Sequence, residues 1–278
     1  MKLRGFLAVW IFGLFFPLLV FAENPSLDEL EREVAAQEEK YVQRSNSIRQ
    51  REERERVYEP VIIVTDPDTK KFADLPAVVR LRVTDALGTK FGTGSVIMSD
   101  EGQALIVTVS HIFRNVDDKS VISADVFNAK TGKIETFIAG YKDIKKTNKV
   151  ADVGLLLIPT NRVLPRLYLA SPDDILKVGQ EVVSYGCGGG EPPTSLRHKI
   201  TVFNRYTGPD TIECTGVPLE GRSGGALVTK GSNKLIGITI AADQRDQRGL
   251  YTGLAPIRAI LWSVGIDPHM LEKPPVAK

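Results

Sequence analysis

Residues 77–254 are cut into short runs of β-branched and apolar residues, and the turn signals between those runs restrict the fold more than any other feature. A first set of runs covers 77–84, 94–98, 104–109, 124–127, 134–139 and 155–158. A second set covers 181–185, 199–206, 211–214, 226–229, 234–241 and 250–254. Turns such as Asp85-Ala-Leu-Gly88, Asp100-Glu-Gly102 and Thr131-Gly132 separate them, because Gly and Asp accept the backbone angles that tight turns require. Many short strands at even spacing predict a β-barrel or a β-sandwich, and two sets predict two such units. After the last run, Leu254-Ala-Pro-Ile-Arg-Ala-Ile-Leu-Trp-Ser-Val264 predicts a closing helix. Its Pro256 falls in the first turn, where a missing N–H breaks no helical bond.

Within the second set, Ser223 stands between Gly221 and the pair Gly224-Gly225. Glycine allows close approaches and backbone angles that other residues cannot adopt. A hydroxyl on such a turn can reach a substrate carbonyl while backbone N–H groups converge on the carbonyl oxygen, which is what acyl transfer needs. Gly221-Arg-Ser-Gly-Gly225 also fits a nucleophile elbow, which requires a strand before the Ser and a helix after it. Beyond Gly225 the chain runs through Ala226-Leu-Val-Thr229, a turn, and Leu235-Ile-Gly-Ile-Thr-Ile-Ala241, a pattern of strand, hairpin and strand. That order disfavours the elbow and places the base and the acid upstream.

Two upstream segments supply them. Of the three histidines, only His111 closes an apolar β-type run, Ala104-Leu-Ile-Val-Thr-Val-Ser-His111. His198 sits between Arg197 and Lys199, and His269 lies in a Pro-containing tail. Asp152 stands at the mouth of the apolar run Val153-Gly-Leu-Leu-Leu-Ile158, where a carboxylate needs a partner to offset its burial. The order His111, Asp152, Ser223 matches one of the three known chain orders of the nucleophile–base–acid triad.

These segments together resemble the trypsin-like (chymotrypsin-clan) serine peptidases, and among them the bacterial HtrA-like branch. Thr108-Val-Ser-His111 is similar to the family's Thr-small-small-His, and Ala151-Asp-Val-Gly-Leu-Leu156 to its Asp-x-(Ala/Gly)-Leu-Leu. Gly221-Arg-Ser-Gly-Gly225 resembles Gly-x-Ser-Gly-Gly, and Gly249-Leu-Tyr-Thr252 the Gly-Val-Tyr-Thr that lines the trypsin specificity pocket. The resemblance spans about residues 75–265 and implies an all-β fold. It calls for two six-stranded antiparallel β-barrels of chymotrypsin type with a cleft between them, here joined by an N-terminal and a C-terminal helix. It further implies that Ser223 is the nucleophile, His111 the general base and Asp152 its orienting acid, with the N–H groups of Gly221 and Ser223 as the oxyanion hole. Activity is then expected to rise as His111 loses its proton. The implied substrate is a protein or peptide, and neither a cofactor nor a metal is called for.

The sequence departs from the trypsin pattern in ways that bear on regulation and specificity. Trypsins carry an Asp before the Ser, which pairs with the amine freed by activation cleavage; here that residue is Arg222, which cannot accept an amine. No Ile-Val-Gly-Gly start is present either, so no trypsin-type zymogen step is expected. Arg222 itself calls for an acidic partner that the sequence does not name. An ungapped count back from Ser223 puts Val217 at the floor of the specificity pocket, with Ala242 and Gly249 as walls. An apolar floor leaves a cationic side chain unpaired, so small or aliphatic P1 residues are expected. Two other readings are an esterase using the same residues and a catalytically inactive, peptidase-like binding domain.

At the N-terminus, Lys2 and Arg4 precede an apolar run ending Val20-Phe-Ala22, which predicts a signal segment over residues 1–22 and an exported, periplasmic or secreted protein. A membrane role arises only if that segment stays uncleaved. Without it the chain has 34 basic residues against 34 acidic ones, so charge gives no argument for nucleic acid. Residues 23–58 predict a charged helix opened by the capping pattern Ser26-Leu-Asp-Glu29. Leu27, Val34, Tyr41 and Ile48 recur every seventh residue without completing a heptad seam. The helix is either a self-association surface or a solvated spacer. The peptidase domain is expected over 59–266 and a loose tail over 267–278, with no PDZ-type module after it. Cys187 and Cys214 either pair, which closure entropy makes worth about 3 kcal/mol, or remain free; two cysteines alone make a poor metal site.

Overall fold

The computed structural model describes residues 77–127 and 134–273. The predicted signal segment, the helix over 23–58 and residues 274–278 lie outside the described residues. Seven strands build a first antiparallel sheet. They are β1 (Val78–Asp85), β2 (Gly88–Ser99), β3 (Gln103–Thr108), β4 (Val121–Phe127), β5 (Ile134–Gly140), β6 (Ile144–Asn148) and β7 (Val153–Pro159). They lie in the order β5-β4-β1-β2-β3-β7-β6, and the sheet curls until β5 comes back against β7. Six more strands, β8 (Glu181–Gly186), β9 (Thr194–Phe203), β10 (Thr211–Thr215), β11 (Ala226–Thr229), β12 (Leu235–Asp243) and β13 (Arg248–Thr252), close into a barrel. Helix α1 (Leu254–Trp262) comes next. Both predicted β units are present, and the first holds seven strands rather than six because β6 adds to the edge of β7.

The alternation of each strand decides its faces. In β1, Val79, Leu81 and Val83 are buried, whereas Arg80 and Arg82 turn to the other face and share the carboxylate of Asp125 on β4. β3 and β7 carry Leu105, Ile106, Val107, Leu155, Leu156 and Ile158 into the core, which is why their sequences read as unbroken apolar runs. Each such side chain contributes about 1.5–3 kcal/mol by leaving water, so Leu81→Ala alone costs about 2–5 kcal/mol. Residues 160–180 cross between the units. Leu167 N–H donates to Val96 O of the first sheet at 2.8 Å, and Leu169 bridges to Leu235 of the barrel.

Residues 267–273, the described part of the expected loose tail, are packed against the domain. Pro268–Leu271 forms a short 3-10 turn, Leu271 is buried, and its carbonyl accepts Leu169 N–H at 2.8 Å. Arg258 of α1 pairs with Glu272 at 2.8 Å. The apolar Leu271 inside a Pro-rich stretch is what brings this segment down. Among the described residues, no helix is long and apolar enough to cross a membrane.

Candidate active site

β3 ends at Thr108, and the chain turns through Ser110 into the 3-10 turn His111–Phe113. Ile112 and Phe113 are buried and anchor that turn, leaving the His111 ring partly exposed. Asp152 lies in the tight connection from β6 to β7, with a left-handed φ of 52° that non-glycine residues other than Asn and Asp rarely adopt. The turn is held by Ala151 N–H on the Asn148 side chain at 3.1 Å, and by the Thr252 hydroxyl of β13 on Ala151 O at 2.7 Å.

The carboxylate of Asp152 is fully engaged. Oδ2 accepts His111 Nδ1–H at 2.6 Å, and Oδ1 accepts the Ser110 hydroxyl at 3.0 Å and His111 N–H at 2.9 Å. An ionised carboxylate only accepts, so Nδ1 carries a proton directed at Asp152, and Nε2 is the ring nitrogen left on the far side. Burial works to raise the Asp152 pKa, but the His111 ring, its charge and its backbone N–H, together with Ser110, outweigh burial and hold it below the ordinary carboxylate value. The three bonds hold the carboxylate and the imidazole in one fixed mutual orientation.

Ser223 lies on the loop that enters β11. Gly221 and Gly224 flank it with φ of +87° and +83°. A Cβ at Gly221 would stand 2.6 Å from Cys187 O, and one at Gly224 would stand 2.1 Å from Thr93 O, so both conformation and space require glycine. In this loop Arg222 N–H donates to Leu219 O, Gly224 N–H to Thr239 O and Gly225 N–H to Arg222 O. Among the described residues, the N–H groups of Gly221 and Ser223 have no acceptor. These are the two donors expected for an oxyanion.

Thr93 of β2 ties this loop to the first sheet. Its N–H donates to Ser223 O at 2.8 Å, its hydroxyl donates to Gly221 O at 2.8 Å and accepts Cys187 N–H at 2.9 Å, and its carbonyl accepts the Thr108 hydroxyl at 2.7 Å. Sequence reasoning passed over Thr93; its setting in Gly92-Thr-Gly94 was the available signal, since strand glycines mark close backbone approach. A Cβ at Gly92 would meet both Ile112, next to His111, and Ser223 O. His111 and Asp152 are thus joined directly. Ser223 is brought beside their turn through β2, with no side-chain bond between Ser223 and His111.

The other predicted residues fall at one end of the barrel. Ala242 of β12 pairs with Gly249 of β13, and Gly249 lies against Pro218, the neighbour of the half-buried Val217. A concavity elsewhere on the barrel, lined by Thr201, Val202, Arg205, Glu213, Asp246 and Arg248, contains none of the predicted site residues. Cys187 and Cys214 are both free and buried, so the bond allowed by the sequence is not formed. Cys214 sits in the barrel core and Cys187 just past β8, against Thr93 and Gly221, and burial pushes each thiol up to about 12. Arg222 is also buried, and among the described residues it has no acidic partner: its guanidinium donates only to neutral oxygens of β8 and β9.

Residues 92–238, just over half of the chain, match the sequence model of the trypsin-like peptidase domain. No curated protein matches. In three dimensions the chain is similar to the HtrA-type protease AlgW with tripeptide, at 23% identity and a TM-score of 0.53, covering 67% of this chain and 60% of that one. A second AlgW chain is covered to 64%, so the chain spans somewhat under two thirds of those two relatives. The active form of the Rv3671c protease from M. tuberculosis gives 21% identity and a TM-score of 0.58 over 80% of this chain and 97% of that one. The serine endoprotease from Yersinia pestis gives 19% and 0.56 over 73% and 68%. At these identities the likeness is one of fold.

Proposed function

The chain belongs to the trypsin-like peptidase family, and from that premise we propose that it is a serine endopeptidase working through His111, Asp152 and Ser223. The observation that carries this reading is the pair of unused N–H groups on Gly221 and Ser223, in a loop whose other N–H groups from Arg222 to Gly225 are all bonded. Ser223 Oγ attacks the substrate carbonyl carbon as His111 Nε2 takes its proton. The carbonyl oxygen becomes an oxyanion held by the two N–H groups. Asp152 keeps the ring oriented and stabilises its charged form, and the ring then gives the proton to the departing amine. Water, deprotonated by the same ring, releases the acyl group and restores Ser223. The Ser223–His111 hydrogen bond is formed in the substrate complex, where such bonds tighten.

Val217, Ala242 and Gly249 support small or aliphatic residues at P1, because they offer no carboxylate to a cationic side chain. Lys2, Arg4 and the apolar run after them support export, and the seven-residue spacing of Leu27, Val34, Tyr41 and Ile48 supports self-association through residues 24–57. The test is covalent labelling by a fluorophosphonate probe, which requires an activated serine. Labelling of the wild type, lost in Ser223→Ala and His111→Ala, is the expected result. A folded wild type that takes no label overturns the reading in favour of a binding domain.

A further inference from the structure

Arg222 is placed between the two oxyanion donors, and its side chain runs inward to a site that is 1% exposed. Nη1 donates to Gly186 O at 3.0 Å and to the Thr194 hydroxyl at 2.7 Å. Nη2 donates to Ser184 O at 3.1 Å, to the Ser184 hydroxyl at 3.2 Å and to Thr194 O at 3.1 Å. Only Nε lacks a partner. Burying an unneutralised cation opposes folding, so a fold that tolerates one gains something that a neutral side chain would not supply. What a guanidinium supplies is a rigid planar fork that can grip two strands at once.

The grip reaches the backbone. A Cβ at Gly186 would stand 3.1 Å from Arg222 Cβ and 3.2 Å from its Cα, so β8 packs directly against the Arg222 main chain. The Ser223 N–H belongs to the peptide plane that leaves that Cα, and the plane's angle is set by how the Cα is held. Ser184 is braced in turn. Its hydroxyl meets His198 Nε2 at 2.8 Å, and His198 Nδ1–H donates to Thr215 O. Since Nδ1 carries the proton, Ser184 donates to Nε2 and is left to accept from Arg222. A continuous buried chain therefore runs from Thr215, at the end of β10, to the nucleophile loop.

We propose that Arg222 is the positioning residue of the oxyanion loop: its fork, seated on Ser184, Gly186 and Thr194 and braced through Ser184 by His198, fixes the angle at which the Gly221 and Ser223 N–H groups meet a substrate carbonyl. This rests on the peptidase reading above. An internal clamp of this kind sets the loop without any amine released by cleavage, consistent with the absence of an acidic residue at this position.

The test compares Arg222→Lys, Arg222→Gln and Ser184→Ala with the wild type on one peptide substrate and on a peptide boronic acid of the same sequence. The tetrahedral boronate uses the same two N–H groups as the transition state. In both Arg222 variants kcat falls about 10- to 100-fold, less than the roughly 10²–10³-fold lost when a donor itself is removed. KM stays within about twofold, and boronate affinity falls by the same factor as kcat. Lysine does not rescue, because a point donor cannot span two strands. Ser184→Ala, which keeps Arg222, loses about fivefold in both kcat and boronate affinity, the worth of one hydrogen bond.

Wild-type kcat and boronate affinity in a folded Arg222→Gln protein would overturn the proposal. Should neither Arg222 variant fold, unchanged kcat and boronate affinity in Ser184→Ala would do so. A wild type that takes no fluorophosphonate label fails the peptidase reading instead. The clamp is then read from the amide resonances of Gly221 and Ser223 in isotope-labelled protein. They move in Ser184→Ala if Arg222 holds the loop, and their staying in place would overturn the proposal.

Discussion

The hydroxyl of Thr93 donates to the carbonyl oxygen of Gly221 at 2.8 Å, and that bond joins β2 of the first sheet to the loop that carries Ser223. The same hydroxyl accepts Cys187 N–H from the end of β8, so one fully buried side chain closes three segments on each other. Thr93→Val keeps the shape and removes the hydroxyl. It leaves Gly221 O and Cys187 N–H unpaired, and unfolding by urea is expected to show about 1–3 kcal/mol of lost stability. A larger proportional loss is expected in kcat than in KM, since the loop and not the substrate pocket is loosened. Unchanged kcat in a destabilised protein would reduce Thr93 to a packing residue.

Asp152→Asn tests the dyad without disturbing its turn. Asn tolerates the left-handed backbone that Asp152 adopts, so circular dichroism and the unfolding midpoint are expected to stay close to those of the wild type. The amide can donate to Nδ1, which favours the tautomer with its proton on Nε2. Loss of kcat on the order of 10⁴-fold is expected at neutral pH. A loss of less than about tenfold would mean that His111 is oriented by something else.

His198 makes stability fall with acid. Burial pushes its pKa down from 6.5 to about 4, with the bond to Thr215 O opposing and the charge of Arg222 assisting. The unfolded chain takes up the proton below pH 6.5 and the folded chain only below about pH 4, so across that window the unfolded state binds more protons. Stability therefore rises with pH between those values, by roughly 3 kcal/mol in all. Urea midpoints measured through the window should slope in the wild type, and the slope should flatten in His198→Gln. Equal slopes would assign the acid sensitivity to other groups.

The two thiols are expected to be silent. Buried and with pKa values of about 12, Cys187 and Cys214 carry no thiolate at neutral pH. Native protein should leave an aromatic disulfide reagent unreacted, both thiols should titrate after unfolding, and a reducing agent should leave Tm unchanged. A Tm that drops on reduction would show a bond between them.

Much of the fold was legible because its strands are marked by turns whose chemistry is local. The hairpin Asp85-Ala-Leu-Gly88 is where the sequence puts it, and Ala226–Thr229 matches residue for residue. β6 was not legible: Ile144-Lys-Lys-Thr-Asn148 has one apolar residue, because an edge strand shows little of itself to the core. At the site, His111 and Asp152 could be read from the apolar runs that they terminate, and Ser223 from its glycines. Ser110 and Thr252 could not, and Thr93 only through the two glycines that flank it. Their hydroxyls act across long sequence separations, and a lone Ser or Thr in a strand carries no trace of the carbonyl or carboxylate it will meet.

The Thr252 hydroxyl on Ala151 O and the Thr93 hydroxyl on Gly221 O have a joint consequence. The proposed acid and base come from one sheet and the proposed nucleophile from the other, so the proposed chemistry is stored in neither half but at the seam. Each half can keep the hydrogen bonds within its own sheet while the seam slips by a fraction of an ångström, and a melting curve would scarcely register the slip. Turnover would register it at once, which makes hydrolytic rate the finer gauge of how the two sheets are docked.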